Sequence, residues 1–390
     1  MFRKRTTTEL LHDEVGARQI AACPLGHAET VVLPPLPAGR HMFPHCRPGE
    51  VLPPGHGWDA TSYQSVTPWL VTFHDVLVHS DAGIVLAGDA VVSDTLQQTA
   101  PGPNFYRDHG AAIALPDAAE ITDLPGAWLS LLGGNYANYY HWTLEGLGRL
   151  APLPPEILAA HDNILIPSSL DAVRGDGLAR TRLDVGRRMF EVGPGATYRV
   201  ERLTVPWTVT GFHLPHPCIA PFFKSLAGDP ACADSPRRIY IDRRASDRRP
   251  GAHRCLRNED DVVAALALLG FVAVRLEGLS LAAQIALFAN AEAIIAPHGA
   301  GLANLVYARP HSVIIELHID TWTNWCFRHL AAVFALRYDA VVGRAEATPG
   351  TLFWSVPVLH LTAAVDLALT NPRRSLMTFG GIAKKSETGN

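Results

Sequence analysis

Apolar and polar positions along this chain follow two regimes. Between about residues 60 and 210, short apolar runs at Val71–Phe73, Gly83–Ala87 and Ala111–Leu115 are separated by turn formers, which predicts β-hairpins. Ala127–Leu132 predicts a strand, and Tyr139–Leu150 a helix entered from a Gly-Asn-rich turn. Asn163–Pro167 (NILIP) has the unbroken apolar character of a buried parallel strand. Thr181–Phe190 has helical spacing, and Arg202–Thr210 predicts another strand. The preceding stretch, residues 20–65, is rich in Pro, Gly and His and predicts an irregular wrap over the first domain.

The second regime follows Gly211–Pro221 (GFHLPHPCIAP), whose three prolines mark a linker. Arg238–Asp242, Phe271–Leu276, Ala293–Ala296 and Ser312–Leu317 predict strands. Asn258–Leu269, Ser280–Asn290 and Ala300–Ala308 predict helices between them, with Ser280 as an N-cap. Regular alternation of this kind predicts a parallel sheet with helices on both faces, a Rossmann-like domain. The fold class is therefore α/β. The chain divides into an N-terminal α/β domain (1–212), a C-terminal Rossmann-like domain (222–365) and a polar tail (366–390).

The length of 390 residues suits two cores, and 48% hydrophobic with 18% charged residues suits a well-buried enzyme. A formal charge of −4 gives no global attraction to nucleic acid or anionic lipid, so local basic clusters must carry any anion binding. Six scattered cysteines form no CxxC pair, which points to a reducing compartment. The basic start lacks the apolar run of a signal peptide, and no window matches a membrane span. The expectation is a soluble, cytoplasmic protein without an integral membrane segment. No signal for oligomeric state is visible.

Three clusters carry candidate chemistry. In the first, an apolar strand runs into His298-Gly299-Ala300-Gly301 and then a helix containing Asn304. Glycines allow close backbone approach, and a helix N-terminus offers free N–H groups, so this turn can seat a diphosphate; His298 could donate to a phosphate or a sugar hydroxyl. In the second, a strand ends in an arginine-rich loop that includes Arg243 and Arg248, whose guanidinium forks match phosphate oxygens. In the third, His141 and Glu145 stand four apart on a predicted helix, and a carboxylate-oriented histidine is a workable general base. Each cluster also has a plainer reading: a tight turn, a solvated basic loop, and a helix packed through Trp142 and Leu147.

The ordered segments NYYHWTLEGLGRL, RRIYIDRRASDRR with the following RNE, and LEGLSLAAQIALFANAEAIIAPHGAGLANLVYARPHSVIIELH resemble glycosyltransferase family 61 over about residues 130–320. The resemblance implies a GT-B architecture, two Rossmann-like domains facing a cleft, with an inverting mechanism and no required metal or other cofactor. It implies a nucleoside-diphosphate sugar donor, UDP-linked by that resemblance, and a glycan hydroxyl as acceptor. It places His141 and Glu145 on the acceptor side, and Arg243, Arg248, His298, Gly299, Ala300, Gly301 and Asn304 at the donor. Glu316 is expected at a strand end, where it would take ribose hydroxyls. Asn258, Glu259 and Gln284 support the arginine loop and the sheet. Asp242 stands where the family more often has serine.

Other classes would leave different signatures. An NAD-dependent oxidoreductase or epimerase would carry GxGxxG after a first strand, and this chain has GAGLAN late in its domain. A nucleotide- or glycan-binding protein without catalysis would not need the His141–Glu145 pair. Zinc could use His41, His45 and Cys46, or His213 and His216, but both groups lie in proline-interrupted loops. No metal site is expected.

Overall fold

The computed structural model describes residues 3–5, 20–24, 27–35, 60–80, 83–88, 90–92, 95, 120–230, 235–244, 254–321, 323–346 and 352–370. Arg248, the run Ala111–Leu115, the trio His41, His45 and Cys46, and residues 371–390 lie outside them.

The first sheet is mixed. Its early strands are β1 (Arg3–Arg5) and β2 (Ile20–Pro24), followed by a separate pair, β3 (Thr30–Val32) and β4 (Ser62–Gln64). β5 (Trp69–His79), β6 (Ile84–Ala87) and β7 (Ala90–Val92) form antiparallel hairpins, as the apolar runs at 71–73 and 83–87 predict. β8 (Thr122–Ser130), β9 (Asn163–Ile166), β10 (Arg188–Glu191) and β11 (Thr197–Pro206) complete the order β1-β7-β6-β5-β11-β8-β9-β10, with β2 also on β5. The β11-β8-β9-β10 quartet is parallel, with α1 (Pro155–Ala159) and α2 (Ala172–Arg180) in its crossovers, and β1 also lies parallel to β7.

The helix predicted over Thr181–Phe190 is not formed. The helix lies one step earlier, because Asp171 caps it by accepting from the Arg174 amide at 2.9 Å. Arg182 and Gly186 then adopt positive φ angles of 55° and 73°, which break the helical path and feed residues 188–191 into β10.

The second sheet has the order β13-β18-β17-β16-β15-β12-β14. Here β12 is Arg238–Ile241, β13 Arg254–Leu256, β14 Val272–Val274, β15 Ala293–Pro297 and β16 Val313–Ile319, with β17 (Arg337–Glu346) and β18 (Leu352–Ser355) closing it. Every residue of β15 and β16 is buried, the signature of strands covered on both faces. After α3 (Ile219–Ala227), the covering helices are α4 (Glu259–Leu268), α5 (Leu281–Asn290), α6 (Cys326–Val333) and α7 (Val358–Thr370). Ser280 does cap α5, accepting from the Ala283 amide at 3.2 Å. The expected tail beginning at residue 366 starts inside α7 instead.

Strands β14-β12-β15-β16-β17 are mutually parallel and follow the doubly wound order 2-1-3-4-5. In such sheets the chain winds outward in opposite directions from the first and third strands, which opens a crevice at their carboxyl ends. Here those strands are β12 and β15. Residues 219–221, at the end of the expected linker, open α3, where Ile219 and Phe223 are fully buried. One apolar cluster joins Tyr140 and Leu144 through Ile219 and Phe223 to Ile285, Leu302, Leu305 and Phe327. The segment carrying His141 thus shares a core with the second sheet. Among the described residues no helix is long and apolar enough to cross a membrane.

Candidate active site

The crevice at the carboxyl ends of β12 and β15 gathers most of the second and first sequence clusters. β12 ends at Ile241, and Arg243 follows it; β15 ends at Pro297, and His298-Gly299 follow that. The Arg243 guanidinium crosses from one strand end to the other and donates to the His298 carbonyl oxygen. It lies so close over Gly299 that a Cβ there would sit 2.5 Å from Nη1. Gly299 has an extended backbone (φ 171°), so proximity rather than an unusual torsion demands glycine. Residues Ala300–Tyr307 form a 3-10 helix rather than the predicted α-helix, and no side chain caps its start. Arg243, Arg254 and His298 line a small pocket there with Leu317, Ile319 and Trp354.

The arginine loop is anchored by Asp242. Its buried carboxylate accepts from Arg244 Nη2 at 2.7 Å and Arg275 Nε at 3.2 Å. Burial pushes this carboxyl up, but the hydrogen bonds from Arg244 and Arg275 prevail and bring it down to about 2. The departure from serine at position 242 therefore supplies an ionic anchor. Glu259 supports the same corner, accepting from the Tyr240 hydroxyl at 2.8 Å and the Arg243 amide at 3.3 Å.

Two donor-site expectations are corrected. Asn304 is fully buried, where its Oδ1 accepts from the Tyr139 hydroxyl at 2.7 Å and its Nδ2 donates to Gln284 at 2.8 Å. It is a cross-brace of the protein, with its amide turned to side chains of its own chain. Glu316 stands in the middle of β16, not at its end, and is fully buried. One carboxylate oxygen meets His298 Nδ1; the other accepts the Tyr338 hydroxyl and lies 3.3 Å from His318 Nε2. A carboxylate so enclosed has no oxygen to offer a ribose.

His298, Glu316 and His318 bring one nitrogen or oxygen each within 4.8 Å of the others, a spacing a metal ion could also bridge. The hydrogen bonds among them and to Tyr338 already engage these atoms. Burial drives the His298 imidazole down to about 4, against the pull of Glu316. The pair therefore holds one charge, on the carboxylate.

The third cluster forms a second pair. His141 Nδ1 lies 2.7 Å from Glu145 Oε2, and both side chains are at most one-tenth exposed. Residues His141–Gly146 form a π-helix, which runs into a 3-10 turn at Leu147–Leu150. Four-residue spacing still lets the two side chains meet. Arg149, fully buried, fixes this segment by donating to the Glu145 carbonyl and the Leu132 carbonyl, each at 2.6 Å. Burial lowers its guanidinium to about 10. A Cβ on Gly133 would come 2.6 Å from Arg149 Nη2, which explains glycine in the turn before the helix.

Sequence reasoning missed Tyr139, His318 and Tyr338 as members of this region. A signal existed for one of them: Glu316 and His318 are polar residues two apart in an apolar strand, and hence on one face. Tyr338 lies opposite Ile314 on β17, a pairing no local pattern announces.

Fold and site together define an α/β protein with a glycine turn and paired arginines at the switch point of a doubly wound sheet, and a hydrogen-bonded His–Glu pair on the segment braced against that turn. Residues 139–315 match the family model described as Glycosyltransferase 61, and over that span the chain is similar to the family. The matched span runs from Tyr139 through the π-helix and the glycine turn into β16. No curated protein matches the chain.

Proposed function

We propose that this protein is an inverting, metal-independent glycosyltransferase that moves a sugar from a nucleoside-diphosphate donor, UDP-linked, to a hydroxyl of a glycan acceptor. The observation that carries this reading is the crossing of Arg243 over the His298-Gly299 turn at the switch point of the second sheet. A guanidinium, a second arginine at position 254 and backbone amides at a helix start converge there. These groups suit the charge that a diphosphate gains as the glycosidic bond breaks. Arg243, His298, Gly299, Ala300 and Gly301 hold the donor in this scheme, with Arg248 a few residues further along the chain as a further candidate.

His141, oriented by Glu145, accepts the proton of the acceptor hydroxyl, and the oxygen attacks the anomeric carbon from the face opposite the diphosphate. The bond to the leaving phosphate oxygen breaks as the new one forms, which inverts the configuration. In a GT-B arrangement the first sheet supplies the acceptor side and the second the donor side, with the active site between them. The shared core around Tyr140 and Phe223 favours a preformed site over a wide hinge at residues 211–221.

A thermal-shift panel of UDP, GDP, CMP and TDP and their sugars tests the assignment, since a ligand bound only by the folded state raises its melting temperature. UDP and one UDP-sugar should give the largest shifts, with EDTA present throughout. Equal, negligible shifts for every nucleotide would remove the donor assignment.

A further inference from the structure

The hydrogen bond behind His298 decides what its front can recognise. Glu316 is fully buried and accepts the Tyr338 hydroxyl on one oxygen. Its other oxygen meets His298 Nδ1. Burial pushes the Glu316 carboxyl up, but His318 and His298 outweigh it and hold it down at about 2. An ionised carboxylate has only lone pairs to offer, so the proton between Glu316 and His298 resides on Nδ1. The ring is neutral, since burial drives its pKa down to about 4. A neutral imidazole with its proton on Nδ1 has a lone pair at Nε2.

That nitrogen is an acceptor. Phosphate oxygens at neutral pH are acceptors as well, and two lone pairs facing each other repel. A hydroxyl can donate. Guanidinium groups and backbone amides, by contrast, only donate, and Arg243 and Arg254 line the same pocket as His298. The pocket thus divides its labour by hydrogen-bonding polarity.

We infer that His298 is a specificity-determining residue that accepts a hydrogen bond from a hydroxyl of the bound nucleotide sugar through Nε2, and that it is not a phosphate ligand. Glu316 is its positioning residue, setting the tautomer from within the sheet. The inference rests on the donor-site reading above and narrows it: the phosphates fall to the arginines and the glycine turn. The hydroxyl can belong to the ribose or to the transferred sugar, and the experiment separates these sources.

Affinities of inorganic pyrophosphate, UDP and the UDP-sugar selected by the panel are measured by calorimetry for the full chain and two variants. His298→Phe keeps a ring against Phe327, whose centroid lies 5.2 Å from that of His298. It should leave pyrophosphate affinity within about twofold and weaken the UDP-sugar by about tenfold, the worth of one hydrogen bond of roughly 1.5 kcal/mol. A loss already seen with UDP assigns the hydroxyl to ribose; a loss confined to the UDP-sugar assigns it to the transferred sugar. Glu316→Gln can donate an amide N–H to Nδ1 and so move the ring proton to Nε2. Pyrophosphate should then bind more tightly while the UDP-sugar binds more weakly, opposite changes that general loss of structure does not produce. Weaker pyrophosphate binding by His298→Phe, or an unchanged UDP-sugar affinity, overturns the inference. If the unaltered protein binds neither pyrophosphate nor UDP, the donor-site reading itself fails.

Discussion

The hydroxyl of Tyr139 donates to Oδ1 of Asn304 across 2.7 Å, tying the residue two places before His141 to the helix that begins just after Gly299. The bond spans 165 residues of sequence and joins the two candidate halves of the site. Asn304 is fully buried, and its amide nitrogen is held by Gln284. The separation of His141 from the His298-Gly299 turn is thereby built into the core.

Tyr139→Phe removes only the donor of that bond and leaves a buried acceptor unmatched. The expected cost is about 1–3 kcal/mol of folding free energy. Urea unfolding measures it. An unchanged midpoint would mean the bond is not a brace.

His141→Ala should lower kcat by about 10²- to 10⁴-fold, the usual contribution of a general base, with nucleotide affinity unaltered. Steady-state transfer kinetics and UDP calorimetry on the same preparation test it. Transfer at close to the unaltered rate would move the proton-accepting role to another group, Glu145 first.

Gly299→Ala places a methyl where Arg243 lies, with contacts of 2.5 Å to Nη1 and 2.7 Å to Cζ. The backbone there is extended, so the fold can accept alanine and the guanidinium must move. Nucleotide affinity should fall by about 10- to 100-fold, as expected for one lost charge-assisted contact, while the melting temperature changes little. Full affinity in this variant would show that Arg243 is not a donor ligand.

Asp339 is buried on β17, and burial raises its carboxyl to about 7, opposed by a hydrogen bond from the Ala340 amide at 2.7 Å. Its folded-state pKa exceeds the unfolded one, so the folded protein binds more protons between about pH 4 and 7. Stability from this group is full below the unfolded value and is lost as pH rises through 7; the loss reaches at most about 4 kcal/mol at 1.36 kcal/mol per unit. Asp339→Asn keeps an oxygen for Ala340 and cannot ionise. It should raise the melting temperature relative to the unaltered protein at pH 8 more than at pH 5. Equal differences at both values would contradict this.

Local pattern determined much of this protein. The short apolar runs of β5 and β6, the largely apolar runs of β9, β15 and β16, and the Ser280 cap of α5 are properties of a few neighbouring residues, and each is legible in the chain. The His141–Glu145 meeting is equally local, because four residues of helix of either pitch bring the two together. The helix expected at Thr181–Phe190 fails for the complementary reason: positive φ at Arg182 and Gly186 outweighs apolar spacing.

Tertiary structure alone decided the partners. Glu316 meets His298 because strand register sets it opposite Ala296, two residues before His298, and Tyr338 arrives from a third strand with no sequence proximity. Asn304 looks like a ligand in the sequence and becomes a brace once Tyr139, on the segment between β8 and β9, packs across to it. Sequence fixes which groups can donate or accept; strand order and register, set by burial of distant apolar faces, choose among them.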